Sequence, residues 1–314
     1  MIYDNHLPTN VTNRQVFTSG GSTSDWQVWN KPHNCRFVHI FCLGGGGGGG
    51  GGQGAGTGTA RRGGGGGGSA AYTNALFPAT YLPDTLYLQV GPGGAGGSGG
   101  TSVTNGATGS ISYVSIQPNT TPANILIQSG SVAARGGIAG ATNPSTGGAA
   151  GTIWVEASTN ILIFGLIVPV AGQAGGTGTA PGAPTDITIS GILTGGGAGA
   201  GTNGATSIKG ANITGTGSVP TIVGGPAGGS AGSTVAGGAG STFLTCYPSA
   251  ATTYSVENFF LAGGSGGGSS DGGSGGAGGN AIYGGGGGGG GAGITNGSGP
   301  GGKGGDGLII ITCT

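Results

Sequence analysis

Apolar and polar residues alternate along this chain in short runs divided by glycine. The runs Arg14–Thr18, Asp25–Trp29, Cys35–Leu43, Thr85–Val90, Ser110–Gln117, Ile125–Gln128, Ile161–Val170 and Leu308–Thr314 are rich in Ile, Val, Phe, Tyr and Thr. Those residue types suit a half-buried pleated surface, so each run predicts a strand. No window carries a helical apolar period, and glycine disfavours helix throughout. The expected fold is all-β with essentially no α-helix, its short strands forming a thin sandwich-like layer.

The glycines are themselves ordered. Gly44–Gly52, Gly63–Gly68 and Gly284–Gly291 are unbroken runs. Others keep a period of three: GGA-GGS-GGT from Gly93, GGS-GGA-GGN from Gly272 and GGK-GGD-G from Gly301. Three residues per turn is the repeat of the polyproline II helix, which rises about 3.1 Å per residue and makes no internal hydrogen bonds. Buried, such a helix must find partners for its N–H and C=O groups on neighbouring helices. Glycine allows that close approach, and the sequence predicts a bundle of polyglycine II helices beside the β-layer. A GGx run should lie on the bundle surface with its third row outward. An all-glycine run can be surrounded, so the runs marked by Gly44, Gly48 and Gly52 and by Gly284 and Gly291 are expected at the centre. Collagen is disfavoured, because two residues in three are glycine here and proline is sparse.

Composition sharpens this picture. Glycine supplies 87 of 314 residues, while Leu, Ile, Val and Phe number 58, too few for an ordinary core throughout. Disorder is disfavoured by zero net charge, compact apolar runs and the period-three glycines. With 8 basic and 8 acidic side chains, the chain has no cationic surplus for nucleic acid. No stretch approaches the roughly 20 apolar residues of a membrane span. Met1 to Asn10 lacks a signal-peptide pattern, so synthesis and folding in a cytoplasm are expected. Cys35, Cys42, Cys246 and Cys313 show no CxxC spacing and are expected as reduced, mostly buried thiols.

Catalytic chemistry is not expected. GxGxxG recurs by composition alone, and Gly302-Lys303 is followed by glycine rather than Ser or Thr. His39 alternates with Phe37 and Phe41 as a strand residue would. His33 and Cys35 lack a second metal-binding pair. Glu156 and Glu257 sit in different apolar segments. Trp26, Trp29 and Trp154 could serve as sugar platforms, but strand packing is the commoner role. The expectation is a non-enzyme with no cofactor and no metal.

The order of motifs carries a resemblance. Phe17-Thr18-Ser19-Gly20 is followed by Trp29, Pro32, Phe41-Cys42-Leu43 and nine glycines. Then come Arg62-Gly63 to Tyr72, Leu82-Pro83 and Leu86 to Gly91, and the chain closes on Gly301-Gly302-Lys303-Gly304-Gly305-Asp306-Gly307-Leu308-Ile309-Ile310-Ile311. This arrangement resembles the glycine-rich domain of tailed-phage tail fibre and related virion proteins. The resemblance implies a structural virion protein, a tail fibre or tail-associated component with a host-attachment role. Its implied partners are copies of itself, with a trimer expected, other virion proteins and a host receptor. Alternatives are a capsid decoration protein, an ice-binding protein and an extracellular matrix or stalk protein.

The expected organisation is a β-segment over 1–43, a glycine-rich module over 44–119, a Thr/Ala/Ile-rich module or insertion over 120–262 and a closing bundle and strand over 263–314. Tracing direction gives the candidate site. Cys35–Leu43 feeds Gly44–Gly52 away from the β-layer, and Gly63–Gly68 returns. Gly284–Gly291 runs away again, while Gly272–Gly279 and Gly299–Gly307 approach. The loops at the far end then bring together Gln53, Arg61, Arg62, Asp271 and Asn296 as an expected exposed tip for receptor or virion contact.

Overall fold

A computed structural model of the chain describes residues 13–140, 145–154, 165–178, 182–189, 192–215, 221–230, 233–242 and 263–314. Two antiparallel sheets stand at one end. The first has the order β1 (Asn13–Thr18), β13 (Leu308–Cys313), β3 (Phe37–Leu43), β5 (Tyr72–Pro78), β9 (Leu166–Val170). The second has the order β2 (Trp26–Asn30), β6 (Thr85–Gln89), β7 (Tyr113–Ser115), β8 (Ile125–Gln128). Period-two patterning sends Val38, Ile40, Cys42, Phe77, Ile309 and Ile311 inward from the first sheet. Trp29, Leu86, Leu88, Val114 and Ile127 meet them from the second. The fold is all-β, and helical turns among the described residues are confined to Ala79–Tyr81 and Pro122–Asn124. The short pairs β4 (Gly54–Ala55) with β12 (Gly293–Ile294) and β10 (Ile187–Thr188) with β11 (Ile213–Thr214) lie outside the sandwich sheets.

Strand register delivers the glycine runs. Leu43 pairs with Leu308, so the chain leaves the sheet at Gly44 beside the place where it re-enters from Gly307. From there the hydrogen bonds turn sideways with a three-residue repeat. Gly45, Gly48 and Gly51 donate to the carbonyls of Ser110, Ala107 and Thr104, and Gly46, Gly49 and Gly52 to those of Gly305, Gly302 and Gly299. Gly47 and Gly50 donate to Gly68 and Gly65, with all eight bonds at 2.8–3.1 Å. The carbonyls of Gly46, Gly48 and Gly47 accept from Gly94, Gly137 and Gly287 in three further runs. Donated bonds descend in partner number, which makes those neighbours antiparallel, and accepted bonds ascend, which makes the others parallel. This run is therefore ringed by six others, and its backbone groups are satisfied without one intrastrand bond.

The run after Gly284 is ringed in the same way, with partners in residues 47–53, 64–67, 194–200, 264–270, 276–279 and 299–305. Gly284 itself is a turn: its φ is +68°, and a Cβ there would strike Leu43. Gly63–Gly68 also has bonded runs all round it, at 47–53, 135–138, 148–151, 173–176, 196–199 and 287–290. Segments between residues 130 and 241 thus supply neighbours to all three glycine runs or to the runs around them.

Three expectations need correction. The surface rule holds for Ala95, Ser98, Ser274 and Lys303, which face solvent, but Ser265, Ser269 and Ser270 are fully buried. Their hydroxyls donate to the carbonyls of Val223, Gly201 and Val235 at 2.7–2.8 Å, so a small polar side chain can replace a backbone partner inside. The cysteines are not all reduced. Cys35 and Cys313 form a disulfide with Cα atoms 5.6 Å apart, because the Cys35 loop lies beside the end of β13. Cys42 is a buried free thiol, and Cys246 lies outside the described residues. The strand expected over Ser110–Gln117 is only Tyr113–Ser115, and Ile161–Phe164 of another expected strand lies outside the described residues.

Candidate functional site

The far end of the bundle is built from returning loops. Gly54 and Ala55 pair with Gly293 and Ile294, and Gln53 bridges to Gly100. Arg61 exchanges both backbone bonds with Thr202, at 2.9 and 2.8 Å. These bridges bring residues from distant parts of the sequence to one place, including Gln53, Arg61, Asp271 and Asn296.

Arg61 organises the centre of that end. Its Nε donates to the Thr59 carbonyl at 3.1 Å. One terminal nitrogen donates to the carbonyls of Ala55 at 3.0 Å and Gly293 at 2.6 Å. The other donates to the Asp271 carbonyl at 3.0 Å and to its carboxylate Oδ1. All five guanidinium N–H groups are thereby used. Asp271 is held in turn by its backbone N–H, which donates to the Ser207 hydroxyl at 2.9 Å. Both Arg61 and Asp271 are 0% exposed. They cannot contact a receptor, and the expected exposed tip is corrected at these two positions. A planar fork collecting four loop carbonyls and a carboxylate is a structural clamp.

The remaining candidates lie around it. Gln53 accepts from the Arg62 N–H through Oε1 at 3.3 Å, and both residues are half-buried. Asn296 is exposed, sits at φ 62° in the turn closed by Gly297 N–H to the Ile294 carbonyl, and accepts from the Thr101 hydroxyl at 3.3 Å. Asn tolerates that left-handed conformation better than most residues. Thr202, Ser207 and Gly293 complete the clamp, and no local sequence signal singled them out.

Among the described residues, no group of three His, Cys, Asp or Glu side chains is placed to hold a metal, and no helix is long and apolar enough to cross a membrane. Burial pushes the Cys42 thiol well above its ordinary value, which makes it a poor nucleophile.

Residues 18–314 match the model of the glycine-rich domain family. The chain belongs to that family. No curated protein matches its sequence. As a glycine-rich domain it presents a sandwich at one end, a laterally bonded bundle along its length and a clamped loop cluster at the other.

Proposed function

We propose that this glycine-rich domain is a structural component of a virus particle, a tail fibre or tail-associated protein whose far end faces a host receptor or the next virion component. The observation that carries the reading is the ring of six hydrogen-bonded neighbours around Gly44–Gly52. A core without side chains has no room for a substrate and resists bending, which suits a spacer. Nine residues of such a run extend roughly 28 Å. The resemblance of the strand and glycine motifs to tail fibre proteins supplies the class of particle. A Cys35–Cys313 disulfide suits exposure to an oxidising medium outside a cell.

Self-association as a trimer belongs to the same reading. Val16, Leu76, Leu166 and Val168 are 39–66% exposed on the outer face of the first sheet, where a second copy would cover them. The ice-binding alternative is weakened by the exposed Lys303–Asp306 ion pair, which stands between the rows carrying Ala95/Ser98 and Ser274/Ala277.

The test is quantitative mass spectrometry of purified particles together with labelled-antibody electron microscopy. A fixed copy number in multiples of three, with label on the tail, supports the reading. Absence from particles overturns it.

A further inference from the structure

Beside the second sheet, away from the far-end loops, lies a cleft of about 590 Å³ lined by ten residues, none of them charged. Its floor is a row crossing three strands in register: Trp26 on β2 pairs with Gln89 on β6, which pairs with Tyr113 on β7. Residues of one row share a face, so two aromatic side chains flank an amide. Trp29, three residues on, is in the core. Trp26 is half-buried and lines the cleft.

Gln89 is only 7% exposed and is fixed by donation from its Nε2 to the Thr23 carbonyl. Gln89 lines the cleft between the two aromatic residues, so an amide held in place is part of its wall. Thr23, Ser110 and Thr120, each carrying a hydroxyl, line the same space.

We propose that this cleft binds a neutral saccharide of one or two rings. A sugar ring offers an apolar C–H face to an aromatic side chain and equatorial hydroxyls to fixed amide and hydroxyl groups. Phosphate would need Arg or Lys and a metal ion would need carboxylates, and the lining has neither. The proposal does not depend on the virion reading, since it concerns the isolated chain.

Saturation-transfer NMR with the purified full chain and galactose, N-acetylglucosamine, lactose, maltose and chitobiose tests it. At least one sugar should show ring-proton saturation, followed by a measurable Kd. Trp26→Ala should weaken that Kd about tenfold, the loss expected for one stacking surface. Ala133→Arg, at a half-buried lining position outside the sheets, should block the cleft and abolish binding. Thermal melting of both variants checks that they fold, and Ala95→Val, on the bundle surface, should bind as the parent does. No saturation from any of the five sugars at about 10 mM overturns the proposal, as does a Kd within about twofold of the parent in both cleft variants.

Discussion

Arg61 and Asp271, 210 residues apart in sequence, meet as a fully buried ion pair that ties together the loops at the far end of the bundle. Removing one partner leaves the other charge buried and orphans the carbonyls that Arg61 serves. Arg61→Ala is expected to cost about 3–5 kcal/mol of stability. Arg61→Lys should recover only part, because a lysine ammonium has three donors and no planar fork. Denaturant unfolding of the two variants checks the order. Equal stability of Arg61→Ala and the parent would remove the clamp.

Reduction should weaken the other end. The Cys35–Cys313 disulfide closes a sequence separation of 278 residues, and loop-closure entropy sets its contribution at up to about 5 kcal/mol. Peptide mapping without reductant should find the Cys35 and Cys313 peptides joined, and melting with reductant should occur at lower temperature. Recovery of both cysteines as alkylated free thiols from the native protein would contradict the pairing.

Cys42 sets the alkaline limit. Burial raises its thiol above the ordinary 9.0, and burial raises Tyr72 and Tyr113 above 10.0, with Cys42 adding to the rise at Tyr113. A folded-state pKa above the unfolded one means that the folded chain holds its protons longer. That contribution is complete below pH 9 and is lost as pH rises beyond it. Unfolding free energy measured from pH 7 to 11 should therefore decline from about pH 9, and Cys42→Ala should flatten the first part of the decline. Iodoacetamide at neutral pH should label Cys42 only after unfolding.

Bulk inside the bundle should matter far more than bulk on its surface. A Cβ at Gly48 would meet the backbone carbonyl of Ala95, whereas the Ala95 side chain already points to solvent. Gly48→Val must push neighbouring backbones apart and unpair N–H and C=O groups, at about 1–3 kcal/mol each. Ala95→Val should change the melting temperature little. Equal shifts from the two substitutions would contradict the ring of neighbours.

Much of this fold could be read from short-range pattern. The apolar alternation of Phe37–Leu43 and Leu308–Cys313 marks strands, and their direct fusion to glycine runs fixes which runs leave the sheet and which return. Strand β5 was not legible in that way. Tyr72–Pro78 contains Asn74, Ala75 and a terminal proline, and it is a strand because β3 and β9 pair with its two edges. Buried Ser265 ends a GGS triplet and looks like a surface position until its carbonyl partner is known, and Ser269 and Ser270, which follow three glycines, carry no period that marks them as buried. The far-end residues could be grouped by tracing direction, but burial of Arg61 and Asp271 depends on loops contributed by Thr202, Ser207 and Gly293. The Cys35–Cys313 pairing arises from strand register across nearly the whole chain, which spacing cannot reveal.

Amide hydrogen exchange resolved to the glycines tests the central claim most directly. Each N–H from Gly45 to Gly52 donates to another run, so exchange requires opening the bundle. The account predicts protection at Gly45–Gly52 comparable to that of Val38–Cys42 in β3. Exchange of these glycine amides at the rate of an unstructured peptide, with β3 still protected, would contradict it.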